Sequence, residues 1–367
     1  MAFAIGIAES RLPDAYNVAN ITPNIVYELV LGGVLSSVLL RAYVEVGTRE
    51  GDEEASVFLT RLLNVGVALL GAIAVLGIVA APWVFRAYTL QADPAVRAAE
   101  QGPGTFLLRL FAVQVVFYGL STITTAVLRA QRRYAVPMFV PVLQNLVTIG
   151  ALLLFAATVP AALRTTERVP TYGLLILGLG TTAGVAVLGL LPFVFLRRAG
   201  WRRVRGAGFR DPRFRNLRRL SAYTLGYVLA NQVGLWVAIV LAQQVQGGYS
   251  AYQTAFVFFQ LPHGLFTVSI ATVLGTGMAE RAVAGDLPGF AHRVTTGIRG
   301  MAFILLPAAA GYVAIAPELV RTTLQHGMTT EASTEMIAAV LRAFSLGLLF
   351  FSGFHLVREA FQALGDT

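Results

Sequence analysis

APWVFRAY, residues 81–88, returns as APELVRTT at residues 316–323, with alanine, proline and arginine in the same register at an offset of 235. Two further anchors keep nearly that spacing. Gly51-Asp52 in REGDEEA is matched by Gly285-Asp286 in VAGDLPG at an offset of 234, and Pro23 by Pro262 at 239. Self-similarity held at one long period is the mark of a duplicated architecture. The chain therefore reads as a tandem repeat.

Composition says what is duplicated. Of 367 residues, 56% are hydrophobic and 13% charged, with a mean hydropathy of +0.69, whereas soluble domains carry about 25% charged residues. This is an all-α polytopic membrane protein. A spanning helix needs about 20 mostly apolar residues, and such runs predict nine spans near 14–44, 58–81, 105–128, 136–158, 172–196, 222–245, 252–279, 300–321 and 335–361. The duplication relates 14–44 to 252–279 and 58–81 to 300–321, six spans per period. An even number leaves both copies inserted the same way up, so the repeats are parallel, related by an axis along the membrane normal.

Two lobes facing each other across a central cavity follow: an N-lobe over 1–196, an Arg-rich linker over 197–219 and a C-lobe over 220–367. The same arithmetic predicts a chain truncated at both ends. Its first helix is a stub ahead of Pro23, and at least two helices of the second copy are lacking after residue 361.

Loop charge sets the orientation. RRAGWRRVRGAGFRDPRFRNLRR, residues 197–219, places ten Arg against one acid, Asp211, which assigns it to the cytoplasmic side. Alternating outward puts RAQRRY (129–134) and the stretch from Arg281 to Arg299 inside as well, and the uncharged loop at Gly247-Gly248 outside. Positive-inside bias accounts for this basic loop, so no nucleic-acid partner is inferred; anionic lipid headgroups suit it better. MAFAIGIAES has no basic n-region and does not read as a signal peptide.

No enzyme signature is present. There is no HExxH, P-loop, GxSxG or paired acidic cluster, and with four His and no Cys neither a zinc site nor a disulfide is expected. Attention falls on polar residues inside the spans, because an ionisable side chain at the bilayer centre costs about 3 kcal/mol and marks a partner or a wet cavity. Glu28 follows Pro23 by five residues, near the external end of its span. Two readings stay open: a carboxylate gaining from the helix dipole and interfacial water, or a cavity residue that pairs with an Arg or takes a cation or proton. Gln260 lies just before Pro262 in the repeat-related span. His263 and His355 are candidate proton carriers. Gly32 and Gly33, Gly275 and Gly277, and Pro262 and Pro307 are expected compliant points. Phe290, Val294 and Ile298 beside Arg293 and Arg299 predict a short amphipathic helix on the cytoplasmic face.

PDAYNVANITPNIVYELVLGGVLSSVLL (13–40), AAPWV (80–84), FQLPHGLFTVSIATVL (259–274) and FQALGDT (361–367) together resemble the MurJ/MviN family, its actinobacterial branch in particular, in order over essentially the whole chain. The resemblance implies the MATE-like fold of the multidrug/oligosaccharidyl-lipid/polysaccharide exporters. It also implies flipping of lipid II, the undecaprenyl-pyrophosphate-linked peptidoglycan precursor, by alternating access in the plasma (inner) membrane for cell-wall synthesis. Asp14 falls on the family's Asp, and Pro23-Asn24 on its Pro-Asn. Where the family has cavity arginines this chain has Tyr27 and Glu28, and Val257 stands at a third. Asp14, Asn24, Tyr27, Glu28 and Gln260 are the expected substrate-contacting residues, with Gly32, Gly33 and Pro262 as hinge. The implied partners are lipid II or a related polyprenyl-linked glycan, membrane lipids and cell-wall synthesis proteins. No cofactor is implied, so the energy source is an ion gradient or the membrane potential. Alternatives are a polysaccharide-lipid flippase or a drug/cation antiporter of the same fold, or a non-transporting membrane scaffold of cell-wall synthesis.

Overall fold

The computed structural model describes residues 1–7, 9–31, 43–201 and 214–364. Gly32 and Gly33, and most of the Arg-rich stretch 197–219, lie outside the described residues. Every regular element among them is helical: α1 (Ala2–Ile5), α2 (Leu12–Leu31), α3 (described over 43–50), α4 (Asp52–Tyr88), α5 (Pro94–Ala112), α6 (Gln114–Ala130), α7 (Ala135–Thr158), α8 (Thr171–Arg198), α9 (Phe214–Ala242), α10 (Gly248–Pro262), α11 (Val268–Val283), α12 (Leu287–Leu324) and α13 (Glu331–Ala363). Seven helical segments among the described residues are long and apolar enough to cross a membrane, from Glu53–Tyr88 to Glu331–Phe361. The two other predicted spans fall on α2 and α9, each of which adjoins residues outside the described set.

The chain forms two compact units. The first holds residues 1, 3–5 and 10–244, the second residues 2, 6–9 and 245–367. In the first, α9 packs with α2 and α4, and Phe58, Leu59, Ile123, Val127, Leu128 and Leu196 form a buried cluster closed by Trp201. Lipid tails are as apolar as leucine, so helices in a membrane associate through close packing rather than hydrophobic exclusion. Helix α8 achieves that with glycine. A Cβ at Gly189 would meet the backbone of Phe117 on α6, and one at Gly184 the Gln144 carbonyl and Thr148 on α7. In the second unit α10 to α13 enclose Ala255, Phe259, Met301, Leu305, Ile337, Leu341 and Leu348.

The repeat is visible in local geometry. Helices α4 and α12, of 37 and 38 residues, each follow a glycine with positive φ, Gly51 at 92° and Gly285 at 72°, a conformation glycine adopts without steric cost. Within the quoted motif Ala81 and Ala316, and Phe85 and Val320, are all fully buried. Both helices outrun the predicted spans 58–81 and 300–321, because hydropathy detects the apolar window and not the polar turns that continue it. For the same reason the amphipathic stretch at 290–299 is no separate helix. It forms the first turns of α12, where the Asp286 carboxylate accepts from the Gly289 N–H at 2.9 Å and caps the helix, with Pro288 in the first turn. Among the described residues the copies also differ: α5 and α6 break at Val113, whereas α13 runs unbroken, and α2 continues through Pro23, whereas α10 ends at Pro262.

Prolines inside helices free carbonyls four residues earlier, and two of these carbonyls are taken up by side chains. Pro262 has no N–H for the Phe258 carbonyl, to which the Tyr312 hydroxyl donates at 2.6 Å. Pro317 has none for the Val313 carbonyl, to which Arg342 Nε donates at 3.1 Å. After Pro262 the chain passes through a π turn, His263–Thr267, into α11.

Candidate functional site

Helix α2 carries four of the residues singled out in the sequence. Asp14 lies fully buried in its first turn. Tyr16 and Tyr27 are eleven residues apart, about three turns, and so share a face. The Tyr16 hydroxyl pairs with Thr181 at 2.7 Å, with its ring edge-on to Phe111. The Tyr27 hydroxyl pairs with Thr122 at 2.5 Å, and its ring lies 5.7 Å from that of Tyr118. These bonds lock α2 onto α6 and α8. Asn24 and Glu28, one turn apart, are half-buried, and among the described residues Glu28 makes no ion pair.

Helix α2 also takes part in a cluster that sequence reasoning missed. Arg11, just before the helix, donates from Nη1 to the Gln243 carbonyl at 2.8 Å and lies 3.4 Å from Glu100 Oε1. Glu100 is fully buried on α5, and Asp14 is near enough for its charge to act on it. No motif announces this grouping, because 89 residues separate Arg11 from Glu100 and the acid reads as a loop charge ahead of an apolar run.

In the second unit Gln260 is exposed on α10, one turn after Phe256, and Pro262 is buried. The π turn sets His263 against α13. Its Nδ1 is 3.0 Å from Ser352 Oγ, and its ring is edge-on to His355 with centroids 5.4 Å apart. Arg358 donates to His355 Nδ1 at 3.3 Å and lies 3.5 Å from Glu359. The two candidate histidines are therefore brought together, and the His263 backbone N–H donates to the Gln260 carbonyl one turn earlier.

Two carboxylates outside the spans have clear electrostatics. Burial pushes the Glu9 carboxyl up, but hydrogen bonds from Ser333, from Thr330 and from the Ile7 N–H outweigh it and hold the group below the usual carboxylate range. Asp286 is held low first by the Gly289 N–H and then by Arg281, with which it forms an ion pair.

The family model for the lipid II flippase MurJ matches residues 3–367. Relatives include a probable lipid II flippase MurJ of Borreliella burgdorferi, 23% identical over 363 residues, covering 96% of this chain and 66% of the relative. A second, from Vibrio cholerae, is 26% identical over 368 residues with the same coverages. The chain spans about two thirds of the length of these curated relatives. A solved structure of a lipid II flippase MurJ in an inward closed conformation superposes with a TM-score of 0.79 at 20% identity, over 100% of this chain and 72% of the other. An inward-facing multidrug resistance transporter of the MATE family superposes with a TM-score of 0.73 at 15% identity, over 99% and 80%. The fold is that of these transporters, and with a family match running over nearly its whole length the chain belongs to the lipid II flippase MurJ family.

Proposed function

We propose that the protein flips lipid II across the cytoplasmic membrane by alternating access, the mode of transport that parallel repeats support. The observation that carries this reading is the family match over residues 3–367, made on a chain whose helices and tandem repeat suit a transporter. Lipid II or a related polyprenyl-linked glycan is the substrate. Its pyrophosphate is met here by neutral donors rather than by the arginines the family resemblance implies. On α2, Asn24 and Tyr27 supply an amide and a phenol, with Glu28 beside them and Asp14 earlier in the same helix; in the second unit, Gln260 on α10 is a separate candidate contact. Pro262, followed by a π turn, is the described part of the hinge, and Gly32-Gly33 would complete it. The Arg-rich stretch 197–219 faces the cytoplasm beside anionic headgroups, and energy comes from an ion gradient or the membrane potential. Cell-wall synthesis proteins are the natural neighbours of such a step.

The test is replacement in living cells. The gene is expressed in bacteria whose own lipid II flippase is repressed, and lipid II reaching the outer leaflet is captured by a membrane-impermeant reagent. Restored growth with outward lipid II supports the reading. Growth arrest despite folded, membrane-inserted protein refutes it, and export of cationic drugs in its place would favour the antiporter alternative.

A further inference from the structure

His263 opens the π turn that follows Pro262, and its side chain is the link from that turn to α13. Single π turns inside helical segments recur at functional sites. Nδ1 of His263 lies 3.0 Å from the fully buried Ser352 Oγ, its ring is 4.8 Å from that of Phe351, and it meets the His355 ring at 90° with centroids 5.4 Å apart. The two imidazoles are not equivalent. Arg358 Nη2 reaches His355 Nδ1 at 3.3 Å, and a guanidinium has donors only, so Nδ1 of His355 must be the accepting nitrogen and its proton sits on Nε2. His355 is thereby fixed in its neutral form.

Charge then decides how many protons the pair takes and where. The charged groups that act on the two rings are each other and, on α13, Arg358 and Glu359, which lie 3.5 Å apart and offset one another. The other elements packed on the π turn bring none. Helix α10 has no charged residue, and α11 carries Glu280 and Arg281 only in its last turn, Arg281 being paired with Asp286. On α12, Arg293 lies against Gly277 and Arg299 is exposed. Two imidazoliums side by side repel, so the pair admits one proton and not two. A proton on His355 Nδ1 would set an N–H against the guanidinium. On His263 it meets only neutral groups: the imidazolium has an N–H on both nitrogens, so Nδ1–H donates to Ser352 Oγ in a charge-assisted bond, and the Phe351 ring offers an aromatic face. A metal cation is disfavoured, since Arg358 occupies the lone pair of His355 Nδ1 and the described residues gather no three acidic or imidazole ligands.

We propose that His263 and His355 form a one-proton site, in which His263 takes up the proton, Arg358 keeps His355 neutral, and the proton state sets how firmly the π turn is clasped to α13 through Ser352. Uptake forms one N–H bond on the imidazole of His263 with a proton from water, and release returns it to water. Both rings are half-buried rather than sealed, so the proton can exchange. Resting on the flippase reading, uptake would hold and release would free the compliant segment after Pro262, tying a proton gradient to its movement.

The experiment reads the rings directly and needs no substrate. The chain has four histidines, so ¹⁵N-histidine-labelled protein in liposomes gives four ring signals, whose nitrogen shifts separate the two neutral tautomers from the imidazolium. His263→Gln and His355→Gln assign them. Between about pH 8 and pH 5, the range in which imidazole titrates, His263 is expected to become imidazolium while His355 keeps its proton on Nε2 alone. In Arg358→Gln the imidazolium signal of His355 should rise several-fold over wild type at the acid end. Hydrogen exchange over residues 263–267, corrected for its intrinsic pH trend, should be several-fold slower when His263 is charged, and Ser352→Ala should erase that difference. The wild-type measurements decide the matter if a variant does not fold. A His263 that stays neutral throughout, a His355 that charges first, or exchange in the π turn indifferent to the charge on His263 overturns the proposal. So do rings that respond to added zinc at constant pH and not to pH, which would mark a metal site. A titrating His263 in a protein that leaves lipid II in place would refute the flippase reading alone, and lipid II movement with an inert His263 would refute this site alone.

Discussion

The Tyr312 hydroxyl on α12 donates to the Phe258 carbonyl on α10 at 2.6 Å, the very acceptor that Pro262 leaves without its helical donor. Backbone groups in a bilayer have no water to turn to, so a freed carbonyl must be met from within the protein. The phenol lets α10 carry a proline, and a π turn after it, without an orphaned acceptor. Tyr312→Phe is therefore expected to destabilise the protein by about 1–3 kcal/mol, the cost of an unmade buried hydrogen bond. Adding Pro262→Ala restores an N–H in register for Phe258 and should recover much of the loss. Thermal unfolding of the single and double variants in detergent measures the coupling, and additive losses would contradict it.

Close approach of α6 and α8 depends on Gly189, where a Cβ would meet the Phe117 carbonyl. Backbone cannot rotate out of the way, so Gly189→Ala should cost about 1–3 kcal/mol through overpacking. Gly150→Ala on α7 is the control, with open space around its position, and it should be neutral or slightly stabilising. Equal thermal midpoints for the two variants would rule out the packing argument.

Acid should loosen the start of α13. Hydrogen bonds hold the Glu9 carboxyl below its ordinary value, so its contribution is present above the unfolded-state carboxylate pKa and is lost as pH falls through the lower folded value. Its acceptor Oε1 meets the Thr330 N–H at 2.9 Å and Ser333 Oγ at 2.7 Å. Hydrogen exchange at Thr330 is expected to accelerate on acidification beyond the intrinsic trend. In Glu9→Gln that exchange should be fast at every pH.

Glu28 is half-buried, and among the described residues it has no ion-pair partner. If its carboxylate serves transport, Glu28→Gln lowers lipid II flipping several-fold while the protein remains folded and inserted. Unchanged flipping in that variant would leave the residue a helix-end carboxylate and nothing more.

Which features were legible in the sequence follows from what hydropathy encodes. The spans, the all-α class and the repeat could be read, because 20-residue apolar windows and the recurring Ala-Pro-Arg motif are one-dimensional signals. Glycines 51 and 285, matched by spacing alone, share their left-handed backbone in the structure. Helix rotation is not one-dimensional. The contacts of Arg11 with Glu100, Tyr312 with Phe258 and His263 with Ser352 depend on which faces meet, and no window or spacing carries that. The lengths of α4 and α12 escaped for a simpler reason, since polar turns, in α12 capped by Asp286, extend a helix beyond its apolar part. For the α2 residues Asp14, Asn24, Tyr27 and Glu28, sequence gave candidates, and the structure adds that Asp14 is fully buried and Tyr27 is bonded to Thr122.

Lipid II movement by the purified protein tests the central claim most directly. Fluorescent lipid II is placed in both leaflets of liposomes holding the reconstituted protein, and an impermeant quencher reports the fraction that changes sides, with and without an imposed proton gradient or membrane potential. The account predicts protein-dependent exchange of lipid II, faster under the gradient and slower in Glu28→Gln. Quenching that stays at the level of protein-free liposomes under every gradient would contradict it.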